Sequence, residues 1–137
     1  MTTADPKEIF GDLLNVKDDV DYSVFTPEMI EQEVLRTAAR LEESPKFIKK
    51  AHNYWANRRQ EYLQAHAQAR RQARIDGVPS TDRKAEADLA TMDLLVQMDD
   101  AKVLYDYVID LEKSLSKKLS SLQSTLRSQG QVFGSTR

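Results

Sequence analysis

The feature that most limits the folds open to this chain is a run of apolar residues that keeps helical spacing from residue 85 to residue 126. Its members recur mostly at intervals of three or four residues, which is the period of one face of an α-helix. They are Ala85, Leu89, Met92, Val96, Leu104, Val108, Leu111, Leu115, Leu122 and Leu126. A helix over residues 82–128 would be about 70 Å long, with a break allowed near Asp99-Asp100.

Two helix-start signals precede that run. Thr26-Pro27-Glu28 supplies a capping hydroxyl, a proline for the first turn and an acid, and Ser44-Pro45 repeats the signal. We therefore predict a shorter helix from residue 26, a sharp corner at Ser44-Pro45 and a long second helix over residues 45–76. Gly77-Val78-Pro79 is a typical helix end. A further short helix is predicted over residues 5–14.

The predicted fold class is all-α: a long helical hairpin preceded by one or two shorter helices, and oligomeric. Residues 1–25 are predicted to form an N-terminal acidic segment with a short helix, and residues 26–137 the helical hairpin domain. A lone hairpin covers its apolar stripe poorly, which favours self-association. The predicted oligomer interface is the C-terminal part of that stripe, namely Leu104, Val108, Leu111, Leu115, Leu122 and Leu126.

Charge is distributed unevenly, although the net charge is only −2. Residues 1–43 carry four basic residues against eleven acids, whereas residues 44–76 carry eight basic residues against two acids. On a helical wheel, the long second helix has an apolar face with Trp55 and Tyr62, and a wet face that is basic and rich in Asn and Gln. The candidate nucleic-acid-binding residues on that helix are Lys46, Lys49, Lys50, Arg70, Arg71 and Arg74.

A basic, amide-rich helix face can follow a phosphate backbone, because Lys and Arg displace condensed counterions and amides donate hydrogen bonds. Tyr54, at the border of the two faces, could stack on a base. The alternative interpretation is a solvated face whose cations pair with the acidic N-terminal region. An interpretation of Tyr54, Trp55 and Tyr62 as core residues is favoured over a stacking platform.

Catalytic and metal-binding patterns are weak, and we predict no enzyme, no catalytic residue, no metal and no cofactor. His52 and His66 lie fourteen residues apart on one helix, about 21 Å of rise, which is too far to share an ion. The pair Glu28 and Glu31 resembles half of the magnesium site of all-α nucleotide pyrophosphohydrolases. Its second half fails, because Glu86 is followed three residues later by Leu89. Nucleotide hydrolysis therefore stays a minor alternative.

The chain has no Cys, no signal-peptide pattern at its start and no apolar run near the roughly 20 residues of a membrane span. These observations predict a cytoplasmic protein that does not enter a membrane.

Four short segments follow one another along most of the chain. They are Ile9–Leu14 with Val24-Phe25-Thr26, then Ser44-Pro45-Lys46-Phe47-Ile48-Lys49-Lys50, then Gln72-Ala73-Arg74-Ile75-Asp76-Gly77, and finally Arg127-Ser128-Gln129-Gly130. In this order they resemble the phage recombination mediator family typified by UvsY. That family has a Ser-x-Ile-Lys-Lys corner and a basic helix that ends in Lys-Ala-Arg-Leu-Asp before a glycine loop.

The resemblance implies a protein that binds single-stranded DNA, forms a ring-like homo-oligomer and acts in DNA recombination and repair. Such a protein helps a RecA-type recombinase replace a single-strand-binding protein, and a phage-encoded one would work in the host cell cytoplasm. The family's DNA contacts map onto Arg74 and Gln72, although Gln72 stands where the family has Lys. Arg71 could restore that charge, but it points about 100° away.

The main alternative is a non-enzymatic coiled-coil protein, such as a virion or scaffolding adaptor. In that interpretation Ile48, Trp55, Tyr62 and Ala69, spaced by sevens, form the seam, and the charges only set register.

Overall fold

A computed structural model describes residues 25–134, with side chains described for residues 25–130. It contains helices α1 (Pro27–Ile75), α2 (Arg83–Ala90) and α3 (Met92–Gly134), and no strand occurs in this part of the chain. The predicted all-α class is confirmed. The predicted helix over residues 5–14 lies outside the described residues, as does nearly all of the N-terminal acidic segment.

Helix α1 begins where its capping chemistry predicts. The backbone N–H of Met29 donates to Thr26 Oγ1 at 3.3 Å, so the threonine hydroxyl satisfies one of the unpaired donors of the first turn. The N–H of Ile30 donates to the Thr26 carbonyl at 3.1 Å and starts the helical ladder. Pro27 is the first helical residue, where its missing N–H costs nothing.

The predicted corner at Ser44-Pro45 is wrong, and with it the separate shorter helix before it. Helix α1 continues through Pro45 as a single element of 49 residues. Pro45 has no N–H for the Leu41 carbonyl four residues earlier, but the Ser44 hydroxyl donates to that carbonyl at 2.8 Å. The side-chain donor replaces the backbone donor that proline lacks, so the helix needs no break.

The end of α1 is confirmed. The N–H of Val78 donates to the Ala73 carbonyl at 2.9 Å, and the N–H of Gly77 donates to the Arg74 carbonyl at 3.2 Å. This is the Schellman pattern, which requires a left-handed residue at the position of Gly77. Gly77 has φ +82°, a conformation that a side chain would strain.

The break that the sequence allowed near Asp99-Asp100 is absent, because α3 runs through both residues. The interruption is at Thr91, which has φ −115° and ψ 13° between α2 and α3. Thr91 donates both its N–H, at 3.1 Å, and its Oγ1 hydroxyl, at 2.7 Å, to the Ala87 carbonyl. The doubled contact ends α2, and the Thr91 carbonyl accepts from the Leu95 N–H at 3.0 Å to open α3.

The described residues fall into two compact units. The unit that we call the leucine unit joins the part of α1 up to Phe47 with the part of α3 from Val108 onward. Lys118 Nζ lies 3.3 Å from Glu33 Oε2, and Gln129 Nε2 donates to the Phe25 carbonyl at 3.4 Å. The buried residues of this unit are Ile30, Thr37, Ser44, Val108, Leu111, Leu115 and Leu122.

The second unit, which we call the alanine unit, comprises Ile48–Tyr107. The indole of Trp55 stacks on the ring of Tyr105, with centroids 5.9 Å apart and planes within 8°. His66 Nε2 and Asp88 Oδ1 lie 2.7 Å apart and link α1 to α2. The buried residues of this unit are small: Ala51, Ala73, Ala87, Thr91 and Ala101.

Four of the six residues of the predicted oligomer interface are buried within the chain itself. Val108, Leu111, Leu115 and Leu122 are at most 4% exposed, so they form intramolecular core. Leu104 and Leu126 are half-buried. The spacing of Leu111, Leu115 and Leu122 correctly predicted a shared helix face, and the residues of that face are buried in the leucine unit.

Candidate nucleic-acid interface

The face of α1 that packs inward in the alanine unit is the predicted apolar one. Ala51 and Ala73 are buried, and the residues between them at helical spacing are half-buried. These half-buried residues are Trp55, Tyr62, Ala65 and Ala69. The far side of α1 therefore faces solvent over most of its length in this unit, as an amphipathic helix requires.

All six candidate cations of α1 are exposed. Lys46 belongs to the leucine unit, and the other five belong to the alanine unit. In that unit they form two groups, Lys49-Lys50 and Arg70-Arg71-Arg74. Twenty residues separate Lys50 from Arg70, which is about 30 Å of helix rise. The structure thus places them along an extended ladder, and not around one pocket.

The three arginines near the end of α1 are not neutralised within the described part of the chain. Arg70, Arg71 and Arg74 take part in none of the ion pairs among residues 25–130. Asp76 is the sole acid in the sequence from residue 62 to residue 81, and its Oδ1 accepts a hydrogen bond from Gln72 Nε2 at 2.9 Å. Three adjacent guanidinium groups are therefore presented to solvent without a carboxylate partner from this region.

Arg58 shows how the one acid of the basic face is compensated. Glu61 is the sole acid on the wet face of residues 46–75, and its Oε2 lies 2.9 Å from Arg58 Nη1. The Arg58 side chain is only 12% exposed, and its guanidinium lies 5.1 Å from the centroid of the Tyr54 ring. Because Glu61 pairs with Arg58, its carboxylate does not offset the positive charge of the exposed arginines.

Trp55 and Tyr62, two aromatic residues that α1 contributes to the alanine unit, pack against other rings of that unit. Trp55 stacks on Tyr105, and the Tyr62 ring lies 5.7 Å from the ring of His66. One face of the Tyr54 ring is covered by the Arg58 guanidinium, 5.1 Å from the ring centroid. The groups that the wet face of α1 exposes are therefore mainly cations and side-chain amides.

The Glu-x-x-Glu pair that suggested a magnesium site lies on the surface of the leucine unit. No group of three His, Cys, Asp or Glu side chains in residues 25–130 is arranged to hold a metal ion. Glu28 and Glu31 are both exposed. A cleft of about 300 Å³ opens beside them in the leucine unit, and its walls are Phe25, Met29, Gln32, Glu33 and Arg36. Neither acid of the Glu-x-x-Glu pair lines that cleft.

One surface feature was missed from the sequence. Met92 and Val96 were grouped with the core leucines, but both are exposed, together with Val103 and Tyr107. On a helical wheel these four side chains lie within about 60° of one another and about 100° or more from the buried Ala101 and Val108. Plotting the stripe by angle, and not by interval alone, separates the two faces.

Among the described helices, none is both long enough and apolar enough to cross a membrane. No family model, no curated protein and no solved structure matches this chain. The resemblance to recombination mediators therefore stays a prediction, and the candidate interface is inferred from the chemistry of its own residues.

Proposed function

We propose that this chain binds single-stranded DNA along the basic face of α1. In this proposal it acts as a recombination mediator that helps load a RecA-type recombinase onto DNA covered by single-strand-binding protein. The observation that carries the binding step is the exposed trio Arg70, Arg71 and Arg74, which has no carboxylate partner among residues 25–130. The mediator role itself rests on the family resemblance of the sequence.

Guanidinium groups suit a phosphate ligand because they stay charged and offer paired N–H donors that match phosphate oxygens. Lys49 and Lys50 extend the cationic ladder toward the N-terminal side, and exposed Asn and Gln side chains lie between the two groups. These amides are Asn53, Asn57, Gln60, Gln64 and Gln68. A flexible single strand can follow such a ladder with little dependence on base sequence.

The proposal includes a hairpin of α1 and α3 and a ring-like homo-oligomer. Several copies would present several arginine trios to one strand, so that a modest site on each subunit becomes a strong one through effective concentration. The subunit interface has to use exposed residues, because four of the six leucine-stripe residues first predicted for it are buried in the chain's own core.

The test is a titration of fluorescein-labelled oligothymidine with the full chain, read by anisotropy at several salt concentrations. Replacing Arg71 and Arg74 together by Ala should weaken binding. It should also reduce the slope of log K against log salt by about 1.4 for each DNA-contacting subunit, since each phosphate contact on a single strand contributes about 0.7.

The matched control replaces Lys113 and Lys117, two exposed cations of the leucine unit, by Ala. It removes the same charge but should leave the slope nearly unchanged. Equal losses in both double variants would mean that net charge and not the arginine trio determines binding. If neither double variant loses affinity for oligothymidine, this face of α1 does not bind the DNA.

A non-enzymatic structural or adaptor protein is the second candidate, and the exposed apolar side chains of α2 and α3 favour it. The seam first predicted for that role is half-buried within the chain, where Trp55 stacks on Tyr105, so an adaptor would use the outer residues of α3 instead. An oligomer that is insensitive to salt and has no affinity for oligothymidine would favour this candidate.

A further inference from the structure

The N-terminal part of α3 is apolar on two opposite sides. One side carries the buried Ala101 and the half-buried Leu104 and Tyr105. The other side carries Met92, Val96, Val103 and Tyr107, with exposures of 54, 52, 68 and 46%. We call these four residues the outer stripe. They lie within one unit, Ile48–Tyr107, and extend over about 22 Å, or four helical turns.

Acids line both edges of the outer stripe. With Met92 as the origin of a helical wheel, Asp99 and Asp106 fall about 20° to 40° to one side, and Asp93 and Asp100 fall about 20° to 40° beyond Tyr107 on the other. All four are exposed, and none pairs with a cation among residues 25–130. The nearest cation on this helix, Lys102, lies farther round than Asp106 and is unpaired with these acids in the same region.

A partner that covers this apolar stripe has to be apolar at its centre and positively charged at its edges, because unpaired carboxylates line both sides of the stripe. Exposed apolar side chains grouped on one helix face with a charged rim are typical of a protein-binding site. The complementary ligand is an amphipathic helix whose apolar residues recur at three and four and whose edges carry Arg or Lys. A helix of about four turns would cover the stripe from Met92 to Tyr107.

A symmetric contact between two copies of the stripe is disfavoured. Asp99 and Asp106 border the stripe on one side and Asp93 and Asp100 border it on the other, so two identical stripes packed face to face would place acidic edge against acidic edge. Such a contact brings like charges together at the rim of the interface, which is unfavourable without cations between them. The charges therefore favour a partner of opposite sign.

We infer that the outer stripe of α3 is a docking surface for a basic amphipathic helix of another protein. This surface uses α3, whereas the proposed DNA ladder uses α1, so the two proposals stand on different residues and can fail separately. The stripe side chains enter the apolar face of the bound helix. The four aspartates pair with the cations at its edges and set its position.

The test uses the full chain and three labelled 18-residue synthetic helices, read by fluorescence anisotropy. One peptide has a Leu stripe with Arg edges, the second has the same stripe with Glu edges, and the third is a scrambled version of the first. The Arg-edged peptide should bind at least about tenfold more tightly than either of the others. Equal binding of the Arg-edged and Glu-edged peptides, or no binding at about 100 µM, would overturn the inference.

Variants of the chain then locate the site. Val96→Ser with Val103→Ser should lower affinity by about tenfold or more, because two buried apolar contacts are lost. Asp99→Asn with Asp106→Asn should lower it by about threefold and flatten its salt dependence. The control Leu35→Ser alters a side chain of similar exposure, 71%, in the other unit and should bind normally. Unchanged affinity in the valine double variant would mean that the peptide does not bind at the outer stripe.

Two further measurements separate this surface from its alternatives. The Arg71→Ala and Arg74→Ala double variant should bind the Arg-edged peptide as the parent chain does, even if it has lost DNA. Sedimentation of the parent chain and of the valine double variant should give the same mass. A lower mass for the valine variant would show that a second copy covers the stripe, and the inference of a heterologous partner would be overturned.

Discussion

In the leucine unit the fully buried apolar side chains are Ile30, Val108, Leu115 and Leu122, whereas in the alanine unit the buried apolar side chains are all alanines. Among residues 25–130, the exposed large apolar side chains are Met29 and Leu35 in the leucine unit and seven others in the alanine unit. These seven are Leu63, Ile75, Leu89, Met92, Val96, Val103 and Tyr107.

The two units differ in how much apolar surface their buried side chains remove from water. Burial of leucine and isoleucine removes much apolar surface from water and stabilises the leucine unit. Buried alanines let helix backbones approach closely but remove little surface, and their neighbours Trp55 and Tyr105 are only half-buried. The alanine unit thus leaves seven large apolar side chains and the trio Arg70, Arg71 and Arg74 exposed, where partners can reach them.

The largest effect should come from truncating a side chain of the leucine unit. Leu115→Ala should lower the free energy of unfolding by about 2 to 5 kcal/mol, because Leu115 is 1% exposed and its loss leaves a cavity. Urea unfolding followed by circular dichroism measures the loss. A cost below about 1 kcal/mol would mean that this core collapses around the gap, and the contrast between the units would be weaker than their side chains indicate.

A smaller effect is expected from enlarging a side chain of the alanine unit. Ala101→Leu should destabilise the chain by about 1 to 3 kcal/mol, since Ala101 is 1% exposed and no space is left for three more carbon atoms. The same denaturation experiment applies, with the exposed Ala85→Leu as a control that changes volume without burial. A stabilised Ala101→Leu variant would show that the helices around Ala101 are not closely packed.

The smallest effect concerns the hydroxyl that accompanies Pro45. Ser44→Ala should cost about 1 kcal/mol, because the Leu41 carbonyl then loses its 2.8 Å donor. In a Pro45→Ala background the backbone N–H returns, so the same serine substitution should cost clearly less. A double-mutant cycle measures this coupling. Equal costs in both backgrounds would mean that the hydroxyl does not act as the substitute donor.

The local chemistry of helix ends was predictable from sequence, whereas the covering of apolar faces was not. Thr26 and Gly77 act through atoms a few residues away, so their roles follow from the sequence around them. Ser44 also acts locally, but a serine before a proline fits a helix start as well as a bridged helix interior. Spacing showed that Leu111 and Leu115 share a face, yet it could not show that the chain itself would bury them.

The same distinction between local features and features set by side-chain packing applies to the candidate interface. The positions of Arg70, Arg71 and Arg74 on the wet face were predictable from helical geometry, and they are exposed. Whether acids neutralise them depends on side-chain pairing, such as that of Arg58 with Glu61 and of Gln72 with Asp76. The outer stripe of α3 was missed because interval counting merges two faces of one helix.

The stacking of Trp55 on Tyr105 has a practical consequence for the study of this chain. Trp55 is the sole tryptophan of the sequence, and it lies in the alanine unit beside a partner ring 5.9 Å away. Its emission therefore monitors the environment of that unit alone, whereas backbone ellipticity averages over both. Recording the two signals during one chemical melt turns a natural chromophore into a unit-specific probe of cooperativity.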